Sequence, residues 1–167
     1  DFVTEVAKAV RIPVFGSGDC IEPEQVVARL AEGVSGVFVG RGVLRNPWIL
    51  AQAGDLVAGR APRTVSMAVR GEFLLDYMHL LLDDGARETE GFRHQAPGQG
   101  VGVPAPLRSR ERWVINKLRA LCTWYTKGFE GGSHLRIAVN SAESLDQVRE
   151  IIDRFFLAAP QAGLQPT

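Results

Sequence analysis

The sequence has few of the residues that build metal sites and disulfide frameworks. Its 167 residues include two cysteines and three histidines. Cys20 and Cys122 lie far apart and form no Cys-x-x-Cys or Cys/His cluster, so we expect two reduced thiols and no bound metal. No histidine lies near Cys20 in the sequence, and we interpret this cysteine as a small core residue rather than a nucleophile.

Long apolar runs and a net charge are also missing. No apolar stretch approaches the roughly 20 residues that span a bilayer, and no signal-sequence pattern is present. We therefore expect a cytoplasmic protein without a membrane partner. The 19 basic and 19 acidic residues balance. Between Arg87 and Arg136, however, nine Lys or Arg residues stand against four Glu, and such a local excess of positive charge is typical of polyanion binding.

The first sixty residues alternate between short apolar runs and helical patterns. Residues 12–16 and 36–40 are rich in β-branched and aromatic side chains and stop at glycines, which predicts buried parallel strands. Residues 22–32, with a proline in the first turn, predict the connecting helix. Helical patterns also cover residues 1–11 and 47–58. This part of the chain is therefore predicted to be α/β.

Beyond residue 59 the pattern is helical. Helices are predicted over residues 65–83, 109–127 and 143–157, with a short helical turn between the last two. The face of the first helix that is predicted to enter the core holds Val69, Phe73, Leu74, Tyr77, Met78, Leu80 and Leu81. A broad apolar face of this kind is typical of a helix that packs on several neighbours.

The helix at 109–127 has two different sides at 100° per residue. The apolar side holds Val114, Leu118, Leu121 and Tyr125, and the opposite side holds Arg112, Asn116, Arg119, Thr123 and Lys127. The apolar side is predicted to pack in a core. The polar side has two interpretations, a solvated surface stripe or a face that contacts a phosphate backbone.

Glycines after the two predicted strands suggest a phosphate site. Residues 16–19 read Gly-Ser-Gly-Asp and residues 40–42 read Gly-Arg-Gly. Glycines let backbone N–H groups approach an anion closely, a helix starting near Gly42 would point its positive end there, and Arg41 adds a charge-assisted hydrogen bond. A tight turn explains one Gly-x-Gly, but two such ends favour phosphate, as after strands seven and eight of a (β/α)₈ barrel. We interpret Asp19, whose carboxylate would repel phosphate, as a helix cap.

Two groups of residues resemble a known family, the tRNA-dihydrouridine synthases. Residues 12–19 (Ile-Pro-Val-Phe-Gly-Ser-Gly-Asp) and 36–49, which contain Gly-Arg-Gly followed by Asn-Pro-Trp, resemble the last two barrel strands of that family. Residues 124–128 (Trp-Tyr-Thr-Lys-Gly), together with Arg136 and Asn140, resemble its C-terminal helical region. The pairing of these motifs is highly specific.

The resemblance implies a flavin enzyme that uses FMN and NADPH to reduce uridine in tRNA to 5,6-dihydrouridine. The implied fold is a TIM (β/α)₈ barrel followed by a small helical bundle, of which this chain supplies the last two strands and the bundle. The predicted divisions are the end of the FMN-binding barrel at 1–59, a linker at 60–63, a helical tRNA-binding domain at 64–158 with a loose insert at 86–108, and a flexible tail at 159–167.

The resemblance also assigns site residues. The implied cofactor-binding positions are Ser17, Gly18, Asp19, Gly40 and Arg41. The polar helix side and the resemblance together assign RNA-binding positions to Arg112, Arg119, Lys127 and Arg136. Two departures from the family stand out, because the family usually has Asn in place of Ser17 and often has Lys-His where this chain has Ala120-Leu121.

The residues that carry the family's chemistry are not among these 167. The resemblance places the catalytic cysteine in an earlier barrel loop, and neither cysteine here matches it. We therefore expect the chain alone to hold FMN weakly and to be inactive. Two alternatives remain, a helical RNA-binding module with a non-catalytic barrel remnant and another FMN-dependent TIM-barrel oxidoreductase. The motif at 124–127 and the basic helix side argue against the second.

Overall fold

A computed structural model describes residues 2–83 and 107–158. The elements in chain order are α1 (Phe2–Ala9), β1 (Phe15–Ser17), α2 (Pro23–Ala31), β2 (Gly36–Phe38), α3 (Arg41–Arg45), α4 (Ile49–Val57), α5 (Met67–Leu82), α6 (Leu107–Tyr125), α7 (Gly132–Ser141), α8 (Leu145–Ile152) and a π-helical segment (Asp153–Leu157). The predicted insert at 86–108 lies outside the described residues except for its last two, which begin α6. The predicted tail at 159–167 also lies outside them.

The chain divides into two compact units. The first comprises Asp1–Val65 and Trp124–Lys127, and the second comprises the described residues of Ser66–Thr123 and Gly128–Thr167. The first unit is α/β, with both strands and α1 to α4, whereas the described part of the second unit is helical.

The sheet of the first unit consists of two parallel strands. Phe15 lies opposite Gly36 and Ser17 lies opposite Phe38. A Cβ atom on Gly36 would lie 2.5 Å from the Phe15 ring, so this position has no room for a larger residue. Each strand has three residues rather than the five that were predicted. The first starts late because Pro13 has no N–H to donate to a ladder.

Helices α2 and α4 pack on one side of this sheet. The fully or nearly buried core residues are Cys20, Val26, Ile49 and Ala53, with Val27, Leu30, Val37, Val39 and Val43 packed against them. The interpretation of Cys20 as a core residue is therefore confirmed, because its side chain is 5% exposed. The predicted strand–helix–strand order and the proline in the first turn of α2 are confirmed as well.

A buried carboxylate holds the segment that follows α4. Asp55, only 5% exposed, accepts hydrogen bonds from Arg63 Nε at 2.8 Å and Arg60 Nη2 at 2.9 Å. It also accepts one from the Arg63 backbone N–H at 3.2 Å. These bonds, those from Arg63 first, hold the pKa of Asp55 well below its usual range. The predicted linker at 60–63 is thus fastened to the helix that precedes it.

In the second unit, α6 buries the predicted apolar side. Val114 and Leu118 are fully buried. Tyr125, at the end of the same helix, is fully buried in the first unit, and Leu121 is partly buried. The prediction of a core-facing side for this helix is confirmed.

The predicted core face of α5 is wrong for part of its residues. Leu74 and Met78 are fully buried, but Val69 is 41% exposed and Leu80 is 62% exposed. The buried stripe includes Gly71, where a Cβ atom would lie 2.5 Å from the Phe156 Cβ atom. The helix therefore approaches the π-helical segment closely along one narrow stripe, and the apolar residues on its other side remain outside the core.

The segment after α6 is more helical than predicted. Gly128 and Gly131 have left-handed backbone conformations, with φ of +86° and +71°. They are followed by α7, a ten-residue helix where a short turn was expected. Ser144 then caps α8 by accepting a hydrogen bond from the Gln147 N–H at 3.2 Å.

Candidate functional site

A cavity of about 530 Å³ lies in the first unit where the two strands end. It is lined by Gly18, Asp19, Cys20, Ile21, Gly40, Arg41, Gly42, Arg45, Trp124 and Lys127. Four of the five predicted cofactor-binding residues are in this lining. The fifth, Ser17, is the last residue of β1 and directly precedes Gly18.

Backbone contact between the two glycine loops forms one wall of the cavity. A Cβ atom on Gly42 would lie 2.1 Å from the Cys20 carbonyl oxygen. The Cys20 N–H donates to the Gly18 carbonyl at 2.7 Å, so residues 18–20 form a tight turn. Gly42 is therefore required by a close approach of backbones. It contributes to the site by allowing the two loops to come together.

Arginine side chains lie on both sides of the first glycine loop. A Cβ atom on Gly18 would lie 2.8 Å from Arg29 Nη2, which places the guanidinium of this α2 residue directly against the turn. Arg41 forms an ion pair with Asp19, and both side chains are exposed. The interpretation of Asp19 as a helix cap is wrong, because α2 begins after Glu22 and the Asp19 carboxylate bonds to Arg41 instead.

Two cations of the lining were missed as cavity residues. Arg45 follows Arg41 by one turn of α3, and the i, i+4 spacing was the signal that could have found it. It makes a long ion pair with Glu22 at 3.8 Å. Lys127 was assigned to RNA, but it lines the cavity with its Nζ atom 3.9 Å from the centre of the Trp124 ring.

The charge and shape of the lining suit a phosphate monoester. Three cationic side chains and one carboxylate, Asp19, face the cavity, so its charged groups carry a net charge of plus two. A terminal phosphate carries about −1.5 to −2 at neutral pH. Cys20 and Ile21 supply apolar surface for the rest of a ligand. The predicted attraction of an anion by the positive end of a helix near Gly42 is minor, because α3 has only five residues.

The four predicted RNA-binding cations have four different surroundings. Arg112 is exposed on α6, and Lys127 lines the cavity of the first unit. Arg136 is partly buried close to Cys122. Burial raises the pKa of the Cys122 thiol to about 12, and the positive charge of Arg136 opposes this rise. Arg119 is engaged within the second unit.

Arg119 caps a neighbouring helix. Its Nε and Nη2 atoms donate to the carbonyl oxygens of Val139 at 3.3 Å and Ala142 at 2.8 Å, at the C-terminal end of α7. Its Nη1 atom donates to Asn116 Oδ1 at 3.1 Å. A cation at the negative end of a helix stabilises that end. Arg119 therefore has a structural role, whether or not it also touches a ligand.

Arg110, nine residues earlier on α6, acts in the same way on α5. It donates to the carbonyl oxygens of Leu81 at 3.0 Å and Asp83 at 3.2 Å. Two arginines of α6 thus cap the C-terminal ends of α5 and α7.

The part of the chain that the structure describes contains neither a cluster of metal-ligating side chains nor a helix that could span a membrane. Over residues 2–83 and 107–158 no three His, Cys, Asp or Glu side chains are close enough to hold an ion. None of the helices described there has the length and apolar character needed to cross a bilayer.

The described residues contain an α/β unit with a cationic cavity and a helical unit, and comparison with known proteins identifies the family. The family model "Dihydrouridine synthase (Dus)" matches residues 1–96. A probable tRNA-dihydrouridine synthase of Rickettsia typhi is 27% identical over 98% of this chain and 43% of its own length. One from Mycobacterium leprae is 29% identical over 95% of this chain and 36% of its own length. A tRNA-dihydrouridine(47) synthase of Coprinopsis cinerea is 27% identical over 97% of the chain and 25% of its own length.

The chain belongs to the dihydrouridine synthase family. It spans less than half the length of these relatives.

Proposed function

We propose that the chain is the C-terminal part of a flavin-dependent tRNA-dihydrouridine synthase. The whole enzyme reduces uridine in tRNA to 5,6-dihydrouridine with FMN as cofactor and NADPH as reductant, in the cytoplasm. The observation that carries the proposal is the cavity, whose lining combines two glycine turns with a net positive charge. Family membership supports the reaction.

The cavity residues fit the phosphate end of FMN. In this proposal the backbone of Ser17, Gly18, Asp19 and Gly40 and the guanidinium of Arg41 hold that phosphate. Arg41 has five N–H donors, so it can bind phosphate oxygens while it keeps its bond to Asp19. When bound, the flavin supplies the reducing equivalents for the uracil ring. The chain's own residues bind and orient its phosphate tail.

The open face of the sheet supports the barrel part of the proposal. Phe15 and Phe38 are 56% and 63% exposed, and their ring centroids lie 5.6 Å apart. Parallel sheets are normally covered on both faces, but here the helices cover one. We propose that the exposed face lines the interior of a TIM barrel, completed by strands that precede this sequence in the whole enzyme.

The second unit is proposed to dock tRNA. Arg112 is suited to a phosphate contact, because it is exposed on α6 and no acidic side chain of residues 2–83 or 107–158 forms an ion pair with it. Arg136 remains in the proposed set, whereas Lys127, first assigned to RNA, lies in the first unit and lines its cavity. Arg119 contributes by holding α7 in place.

The dihydrouridine content of tRNA tests the proposed function. The protein that contains this chain is expressed in a bacterial strain whose own dihydrouridine synthases have been deleted, and digested tRNA is examined by mass spectrometry. We expect dihydrouridine to return with the wild type and to be strongly reduced with Arg41→Gln, which should also lose bound FMN. Lys8→Gln, an exposed cation of α1 away from the cavity, is the control. A protein that binds tRNA but restores no dihydrouridine would support the RNA-binding module instead.

A further inference from the structure

Lys127 differs from the other cations of the cavity in having no acidic partner. Arg41 is paired with Asp19, and Arg45 is paired at longer range with Glu22. Among residues 2–83 and 107–158, no carboxylate lies within ion-pair distance of Lys127, and its Nζ atom lies over the ring of Trp124. Of the two positive charges that the lining carries in excess, that of Arg45 is partly offset by Glu22 from outside the lining, whereas that of Lys127 is not offset by a carboxylate of the described residues.

We propose that Lys127 is a further ligand of the phosphate monoester that Arg41 binds, held in place by Trp124. This inference rests on the proposed FMN site and adds to it a residue from a distant part of the sequence. Residues 124–127, the last two residues of α6 and the two that follow, belong to the same compact unit as the two glycine turns. The Trp-Tyr-Thr-Lys segment then serves the cofactor cavity, and the RNA contacts rest on Arg112 and Arg136.

The position of Trp124 explains how a flexible lysine can be directed into the cavity. The Nζ atom lies 3.9 Å from the Trp124 ring centre, within the range of a cation–π interaction. The ring itself lines the cavity and is partly buried. Its interaction with the ammonium group restricts the lysine without neutralising its charge, so the charge stays available to an anion. Trp124 is in this sense a positioning residue.

The net charge of the lining favours the cofactor phosphate over an RNA backbone. The lining carries a net charge of plus two, which matches the dianionic form of a terminal phosphate. A phosphodiester carries a single negative charge. The cavity walls also include Ile21 and Cys20, which would contact the carbon chain that bears a terminal phosphate. A terminal phosphate is thus the better match in charge and in surroundings.

The affinities of the 167-residue chain for FMN and for riboflavin test the inference, since the two flavins differ only in the terminal phosphate. Each is titrated against the wild type and against Lys127→Gln, with ligand binding followed by NMR because weak affinities are expected. The variant should bind FMN roughly fivefold more weakly, a size typical of an exposed ion pair, and riboflavin unchanged. Lys127→Arg should restore FMN binding, and Lys8→Gln should match the wild type.

Two further variants complete the test. Trp124→Leu should weaken FMN binding less than Lys127→Gln does, and the double variant should be no weaker than Lys127→Gln alone, because the ring acts through the lysine. The inference is overturned if Lys127→Gln keeps the wild-type preference for FMN over riboflavin while Arg41→Gln loses it. If the wild type shows no preference for FMN, the proposed phosphate site itself fails. Loss of affinity for an oligouridylate in Lys127→Gln with FMN binding intact would assign the lysine to RNA.

Discussion

At the scale of single residues, Asp55 is the most constrained charged group of the first unit. Its carboxylate is nearly buried and accepts from two arginines and a backbone N–H. The pKa of Asp55 is lowered from its ordinary value of 3.8, mainly by hydrogen bonds from Arg63 and Arg60. A carboxylate with a lowered pKa stabilises the fold above its unfolded-state pKa, and this contribution disappears as the pH falls through the folded-state value.

We predict that Asp55→Asn lowers the urea midpoint at pH 7 and that its difference from the wild type shrinks as the pH falls below 3.8. The reason is that below this pH the unfolded wild type binds a proton at Asp55 that the folded wild type, with its lowered pKa, does not bind, so the carboxylate contributes less to stability. Asp76→Asn, which changes an exposed aspartate of α5, is the matched control and should change little. A difference that is the same at pH 3 and pH 7 would contradict the assignment.

Single residues of the site were predictable from the sequence where the chemistry is local. The Gly-Arg-Gly pattern was sufficient to find Arg41, and the absence of a neighbouring histidine was sufficient to place Cys20 in the core. The partner of Asp19 was not predictable, because Arg41 is 22 residues away and is brought close only by strand pairing. Lys127 was missed as a cavity residue because the predicted helix at 109–127 included it, whereas α6 ends at Tyr125 and Lys127 lies in the turn that follows.

At the scale of elements, two glycines of the first unit have opposite requirements. Gly42, in α3, has no room for a Cβ atom because the Cys20 carbonyl oxygen would lie 2.1 Å away. Gly54, in α4, has no atom within 4 Å of the same position. Alanine is the better helix former at both sites. The surrounding atoms therefore determine whether replacing the glycine by alanine stabilises or destabilises the fold.

We predict that Gly42→Ala destabilises the chain by about 1–3 kcal/mol through overpacking. Gly54→Ala should stabilise it by about 0.5–1 kcal/mol, the usual gain on replacing glycine within a helix. Urea unfolding measures both. If both substitutions change the free energy of unfolding in the same direction, the close approach of the glycine loops is not a feature of the folded chain in solution.

The two arginines of the polar side of α6 give a second matched pair. Arg119→Gln removes donors from the last carbonyls of α7 and should cost about 1–3 kcal/mol of stability. Arg112→Gln, at an exposed position, should change stability by no more than about 0.5 kcal/mol. It should instead reduce the slope of log affinity for tRNA against log salt concentration by about 1.

Urea unfolding and salt-dependent filter binding separate these two effects. A stable Arg119→Gln variant with a reduced salt slope would show that Arg119 contacts RNA and does not cap α7. The single polar stripe that the sequence predicts therefore contains at least two different roles.

Helix positions were largely predictable, but their orientations were less so. The pattern of α6 alternates clearly between apolar and polar sides, and its buried side was predicted correctly. Helix α5 is apolar on two sides, so periodicity could not choose between the stripe with Leu74 and Met78 and the one with Val69 and Leu80. The position of Gly71 determines which stripe is buried, because a helix can approach a neighbour most closely at a residue without a side chain.

At the scale of the whole molecule, the first unit combines a sheet that is open on one face with a cationic cavity at the ends of its strands. Two parallel strands leave an apolar face open at Phe15 and Phe38, yet the two loops at their ends already meet. The resemblance in the sequence predicted the family, which the family match over residues 1–96 confirms. The three-residue length of the strands was not predicted, although Pro13, which delays the start of β1, is visible in the sequence.

The ³¹P NMR resonance of FMN tests the central claim, that this chain carries the phosphate-binding half of the flavin site. With wild-type chain added to FMN, we expect the phosphate resonance to shift and broaden, and Arg41→Gln to abolish the change. Gly54→Ala, which leaves the cavity intact, should behave as the wild type does. A phosphate resonance that stays unchanged while the proton resonances of the isoalloxazine ring shift would contradict the account, because the chain would then bind the flavin by its ring.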